Sequence, residues 1–144
     1  RSMSKLSRTK GAAFEREIAN ALKPLWPNAR RGGHDQAGPH GRPDVDGTPF
    51  FVECKRYARV LRSTVLGAFR QADEAAKRAG DPRPLLVVTR ADKERAVVHY
   101  RMIQVRPDTG ALIRVIASTP LAEWLDAAKQ DTPQASDPSL NNLD

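Results

Sequence analysis

The chain has 144 residues, about one domain at roughly 100–200 residues each, and its 40% hydrophobic content supports one core and excludes a disordered chain. No apolar run approaches the roughly 18 residues that span a bilayer, and one cysteine, Cys54, excludes a disulfide framework or a Cys-rich zinc site. The formal charge is +7; residues 126–144 contribute −3, which leaves +10 on residues 1–125 and suits a polyanionic partner, nucleic acid above all, or equally a solubilising basic surface, which charge alone does not separate.

Residues 1–9 are polar and basic and read as a flexible N-terminal segment. With no apolar leader ahead of them, a reducing, cytoplasmic setting is expected, for a cellular or a virus-encoded protein alike. From Lys10 to Pro24 the apolar residues Phe14, Ile18, Ala21, Leu22 and Leu25 recur at three- and four-residue steps, which predicts an amphipathic helix stopped by Pro24 and Pro27. Residues 30–43 hold four glycines and two prolines and read as a long loop, of the kind that is functional or disordered. Asp44-Val45-Asp46 and Phe50–Lys55 read as antiparallel strands joined by a turn at Asp46-Gly47-Thr48-Pro49.

A second helix is expected over 63–79, with Val65, Leu66, Ala68, Phe69, Ala72, Ala75, Ala76 and Ala79 inward and Gly80 as its stop. The apolar run Pro84–Thr89 suits a central strand covered on both faces. Ala96–Ile103 and Ala111–Ala117 are further strands around a turn at Pro107–Gly110. Thr119 as N-cap and Pro120 as first helical residue open a last helix with the stripe Leu121, Trp124, Leu125 and Ala128. From Asp131 the composition turns to that of a flexible tail, 131–144. The order predicts one α/β domain over 10–130, a mixed sheet flanked by helices.

The strand 50–55 carries the chemistry. Alternation sets Phe51, Glu53 and Lys55 on one face and Val52 and Cys54 on the other. A hairpin folded at Gly47 returns Asp44 towards Glu53, so two carboxylates and an ammonium converge at a sheet edge. Such carboxylates repel unless one protonates or a cation lies between them, and hard oxygen ligands suit Mg²⁺ or Mn²⁺. The same spacing also fits an ordinary strand with a Glu–Lys pair, and spacing alone does not separate the two. On the first helix Glu15 lies roughly 60–70° from the apolar centre and borders the packed side, whereas Glu17 lies farther round, in solvent. Cys54 reads as a small buried hydrophobe. Trp26 and Trp124 read as core anchors, and the three histidines lack metal-ligand spacing.

Lys10-Gly11-Ala12-Ala13-Phe14-Glu15-Arg16-Glu17-Ile18, the Gly-rich loop, Pro43-Asp44 and Phe51-Val52-Glu53-Cys54-Lys55 resemble the archaeal-type Holliday junction resolvases, members of the PD-(D/E)xK nuclease superfamily. The resemblance covers about residues 10–125, with the specific motifs in 10–55. It implies a restriction-endonuclease-like α/β core and a Mg²⁺- or Mn²⁺-dependent endonuclease acting on branched or duplex DNA as a homodimer. It implies Glu15 as a helix-borne acid near the metal and Asp44 and Glu53 as direct ligands. It further implies the Cys54 backbone carbonyl as completing the coordination, Lys55 as positioning the attacking water and Gln71 as supporting the site. Family loops often carry a serine near the scissile phosphate; residues 30–43 contain none, which leaves His34, Asp35 or His40 for that place.

The basic residues Arg8, Lys10, Arg30, Arg31, Arg42 and Arg56 flank these acids in sequence and are candidate phosphate contacts, with Arg59 as a possible extension of the track. The sequence therefore points first to a junction-cutting nuclease. A superfamily nuclease acting on duplex, end or flap DNA, or a catalytically silent DNA-binding module of the same fold, are the alternatives.

Overall fold

A computed structural model describes residues 5–32 and 41–131, with side chains from Lys10 onward. It is an α/β structure with one six-stranded mixed sheet and three helices. In chain order these are α1 (Lys5–Leu22), β1 (Arg30–Arg31), β2 (Val45–Asp46), β3 (Phe51–Tyr57), α2 (Arg62–Ala79), β4 (Leu85–Ala91), β5 (Val97–Val105), β6 (Leu112–Pro120) and α3 (Leu121–Asp131). The strands lie in sequence order across the sheet. Only β3 and β4 run parallel, as their connection through α2 allows; the other neighbours are antiparallel. No helix among the described residues is long and apolar enough to cross a membrane.

The helices divide between the two faces of the sheet. Phe14, Ile18 and Leu22 of α1, each at most 1% exposed, meet Val45, Val52, Cys54, Leu86, Val88 and Val98, with Leu121, Trp124 and Leu125 of α3 packed alongside. Side chains of this kind contribute about 1.5–3 kcal/mol each when fully buried. On the other face, Val65, Ala68 and Phe69 of α2 cover Val87, and Ala72 and Ala76 cover Phe51. β4 is thus buried from both sides, as its unbroken apolar run predicts. Trp26, Phe50 and Trp124 form a triangle with ring centroids 5.7–6.1 Å apart, so both tryptophans anchor the core.

Several expectations need correction. α1 starts at Lys5, five residues before the expected Lys10, because residues 5–9 contain no breaker and extending an existing helix is easier than starting one. Arg30 and Arg31 are a short strand, in register with Asp46 and Val45, rather than loop; two residues are too few to show alternation. On α2, Leu66 is 41% exposed and Ala79 is also outside the core. Thr119 and Pro120 do not start α3. They stay in β6 opposite Val98 and Val97, and the Leu121 N–H donates to the Ala96 carbonyl at 2.9 Å. The calls on Arg8's side chain, His34, Asp35, His40 and the tail beyond Asp131 lie outside the described residues.

The turn between β2 and β3 sets the register of the candidate site. Gly47 has φ +80°, and a Cβ there would overlap the Asn28 carbonyl oxygen. Its N–H donates to Asp46 Oδ1 at 2.9 Å. Arg83 reaches the same turn, donating to Asp46 Oδ1 at 3.1 Å and the Thr48 carbonyl at 3.2 Å while paired with Asp81 at 2.7 Å. Gly47→Ala is therefore expected to destabilise the protein by about 2 kcal/mol or more, read as a lower urea midpoint at unchanged slope.

Candidate active site

Asp44 lies at the start of the hairpin and is tied at three points. Its N–H donates to the Val52 carbonyl and its carbonyl accepts the Gly32 N–H, both at 2.8 Å. Its Oδ2 accepts the Cys54 N–H at 2.8 Å, which fixes the carboxylate against the strand that carries Glu53 and Lys55. The expected return of Asp44 to this strand is what the structure has.

One residue to either side of Cys54, the strand alternation turns Glu53 and Lys55 to the α2 face beyond the apolar Phe51. Lys55 Nζ is 3.2 Å from Glu53 Oε1, with side-chain exposures of 24% and 13%. The Glu–Lys pair of the plainer alternative is thus present. It does not account for the other acids, since Asp44 and Glu15 act electrostatically on the same pair.

Glu15 of α1 is 7% exposed and accepts a hydrogen bond from Arg31 Nε at 2.7 Å. It borders the packed side as the helix geometry predicts, and it is far more buried than a solvated surface charge. Glu17 faces outward, half exposed, and takes Arg90 NH1 on both oxygens at 2.6 and 2.7 Å. Arg90 also lies 5.1 Å over the Phe14 ring. Seventy-three positions separate these partners, and no local pattern could have signalled the contact.

The charges are unbalanced in a specific way. Burial, then the Glu53 carboxylate, pushes the Asp44 carboxyl from 3.8 up to about 8; the Cys54 N–H and Lys55 oppose this and Glu15 adds to it. Burial also raises Glu53, against the pull of Lys55 and with a push from Glu15. For Lys55, burial acts downward but is outweighed by Glu53, Tyr57 and Asp44, so the ammonium is held above its usual value. Burial and the same three carboxylates push the Cys54 thiol well up, so it stays a neutral, inert group, as expected of a buried small hydrophobe.

This donor set fits a divalent cation of a particular kind. Glu53 is paired with Lys55 and Glu15 with Arg31, which leaves Asp44 as the partly desolvated acid with no cation of its own among the described residues, and a hard cation at that place would favour its charged form. Among the described residues no three of His, Cys, Asp or Glu form a ready cage. Mg²⁺ does not need one, since it commonly keeps several waters and binds through one or two carboxylates and substrate phosphate.

The candidate phosphate contacts are dispersed. Lys10, Arg30 and Arg42 are exposed, with Arg30 3.9 Å from Asp46. Arg31 is engaged by Glu15. Arg56 is half-buried, 3.8 Å from Asp92, with its Nε shielded from solvent and without a hydrogen-bond partner. Gln71 is exposed on α2 and Arg59 is exposed beyond β3. His99 lies between Thr89 Oγ1 and Ser118 Oγ, 2.7 Å from each, and burial lowers its pKa, so it bridges β4 and β6 as a neutral ring. Comparison with family models, with curated proteins and with solved structures finds no match to this chain.

Proposed function

We propose that this protein is a metal-dependent endodeoxyribonuclease with a restriction-endonuclease-like core, acting on four-way DNA junctions as a homodimer. The observation that carries the reading is Asp44: a half-buried carboxylate fixed on the Cys54 N–H, raised to about 8 by desolvation and by Glu53, with Glu15 and Lys55 acting on it. Glu53 has Lys55 and Glu15 has Arg31, so two structural ion pairs account for two of the three acids. The third acid, Asp44, has no cation of its own among the described residues, and beside a protonated lysine it suits phosphodiester hydrolysis.

Asp44 and Glu53, with the Cys54 backbone carbonyl, are the groups that would hold Mg²⁺ or Mn²⁺. When bound, the ion supplies Lewis-acid polarisation of the phosphate and a water of lowered pKa. Lys55 stays an ammonium and is no proton acceptor. It orients the attacking water and offsets charge growing on the phosphoryl oxygens. Glu15, clamped by Arg31, adds negative potential at the ion's place and fixes α1 against the β1–β2 edge. Lys10, Arg30 and Arg42 supply phosphate contacts on the exposed surface.

The test is a fixed synthetic junction with Mg²⁺, compared with duplex and flap substrates of the same sequence. Paired symmetric nicks on the junction are the expected result; cleavage of duplex or flap alone shifts the reading to another nuclease activity of the same chemistry. Junction affinity is expected to fall steeply with salt, and Lys10→Ala or Arg42→Ala each to lower the slope of log affinity against log salt by about one. A flat salt response would remove nucleic acid as the partner. The 3.2 Å Lys55–Glu53 pair favours one other reading, a silent DNA-binding module. Calorimetric titration with Mg²⁺ or Mn²⁺ separates them, because the silent module takes up no metal.

A further inference from the structure

The sheet ends in an arm that nothing in the described chain covers. Past Tyr100 and Ala117 the β5–β6 hairpin runs outward, and every residue from Arg101 to Arg114 is exposed. Six large apolar side chains stand on it: Met102, Ile103, Val105, Leu112, Ile113 and Ile116, at 37–70% exposure. They occupy both faces. Met102–Val115 and Gln104–Ile113 share the side of α1 and α3, and Arg101–Ile116, Ile103–Arg114 and Val105–Leu112 share the side of α2. α2 reaches the arm at Arg101, which pairs with Asp73 at 3.7 Å and stacks 5.4 Å over Phe69.

The edge is as open as the faces. β6 is the last strand, and its outer ladder has no strand partner among the described residues. Sheet edges are commonly protected by lysines, prolines, bulges or short length. Here nine consecutive pairs run without a bulge, from Val97–Pro120 to Val105–Leu112, the single proline lies at the inner end, and Arg114 is the one charge on β6. A two-stranded ribbon with both faces wet is marginal in water.

We propose that this arm is the interface for a second copy of the chain, the two β6 edges pairing antiparallel about a twofold axis to join two six-stranded sheets. The occupant follows from the chemistry and the symmetry. Leucine, isoleucine and valine offer nothing to a phosphate backbone, and two of the arm's three arginines are already paired, Arg101 with Asp73 and Arg106 with Asp108, so the arm is a poor extension of the DNA surface. Antiparallel pairing about an axis normal to the sheet keeps like faces together, so Leu112 and Ile116 merge with their counterparts on one side and Ile113 and Val115 on the other. Three of the six, Leu112, Ile113 and Ile116, lie on β6 and meet their counterparts at the seam while the other three lie one strand back, so the contact is smaller than the roughly 800 Å² per partner of a standard interface and the backbone ladder carries much of it. The dimer in the proposed function motivates the question; the surface is argued from the arm alone.

The test is the mass of the full chain in solution, by sedimentation equilibrium from about 1 to 100 µM without metal or DNA. A dimer of the 15.9 kDa chain is expected. Leu112→Glu with Ile113→Glu, and separately Ile113→Lys with Ile116→Lys, are each expected to weaken it about 100-fold or more, since each sets like charges against their symmetry mates across the seam. The positions are exposed, so circular dichroism and thermal midpoint should hold. A monomer throughout the range, an open-ended assembly, or a dimer that survives both double variants overturns the interface. Junction cleavage is scored separately: a dimer that fails to cut DNA refutes the nuclease reading and leaves the interface standing, and a monomer that cuts does the reverse.

Discussion

Alanine at Asp44, Glu53 or Lys55 is expected to lower Mg²⁺-dependent junction cleavage by about 10²–10³-fold or more, with junction affinity in the metal-free state changed little. Each residue fails for its own reason. Asp44→Ala removes both the proposed ligand and the acceptor of the Cys54 N–H, so Asp44→Asn is the cleaner variant: it keeps an acceptor oxygen for that 2.8 Å bond and removes the charge. Glu53→Ala removes the second proposed ligand and leaves Lys55 without its 3.2 Å partner. On the proposed reading Lys55→Ala leaves metal uptake intact but takes away the ammonium that would face the scissile phosphate. Its loss should therefore appear in kcat while calorimetric Mg²⁺ binding persists. Single-turnover cleavage of a labelled junction is the measurement. Normal cleavage by all three alanine variants would refute the assignment of the site.

The metal-free protein should become less stable as pH rises from about 5 to about 8, and Asp44→Asn should flatten that trend. Asp44 is pushed from 3.8 up to about 8, so the folded state holds its proton more tightly than the unfolded chain. The stability linked to this group is fully present below about pH 4 and is lost as pH rises through about 8. Glu53, also raised, acts with the same sign. Lys55 titrates above this window and does not oppose the trend. A loss of about 2 kcal/mol between pH 5 and 8, several degrees in Tm, is the scale expected after screening. Asp44→Asn should melt higher than the parent at pH 8 in EDTA, and added Mg²⁺ should raise only the parent. Parallel pH profiles for the two proteins would mean that Asp44 carries no such strain.

What the sequence discloses about this fold follows the range of the interactions. The α1 stripe Phe14–Ile18–Leu22, the Gly47 turn, the Gly80 stop with φ +64° and the run Leu86–Val88 are local patterns, and the structure has them where periodicity and turn chemistry predict. Asp44 meeting the 50–55 strand was legible because a tight hairpin leaves little choice. The start of α3 was not, because Thr119 and Pro120 carry a good capping signal that pairing with β5 overrides. Arg31 looked like one basic residue among several; its bond to Glu15 depends on β1 lying beside α1, which two residues of strand could not announce. The bare β5–β6 arm read simply as two strands, since alternation reports that a strand exists and not what covers it.

The aromatic triangle has a practical consequence. Trp26 follows α1, Phe50 immediately precedes β3 and Trp124 belongs to α3, so the three rings clasp the first and last thirds of the described chain. Both indoles of the chain sit in this one clasp. Intrinsic emission is therefore a local gauge of whether the C-terminal helix is seated, and it is blind to what happens along the outlying ribbon.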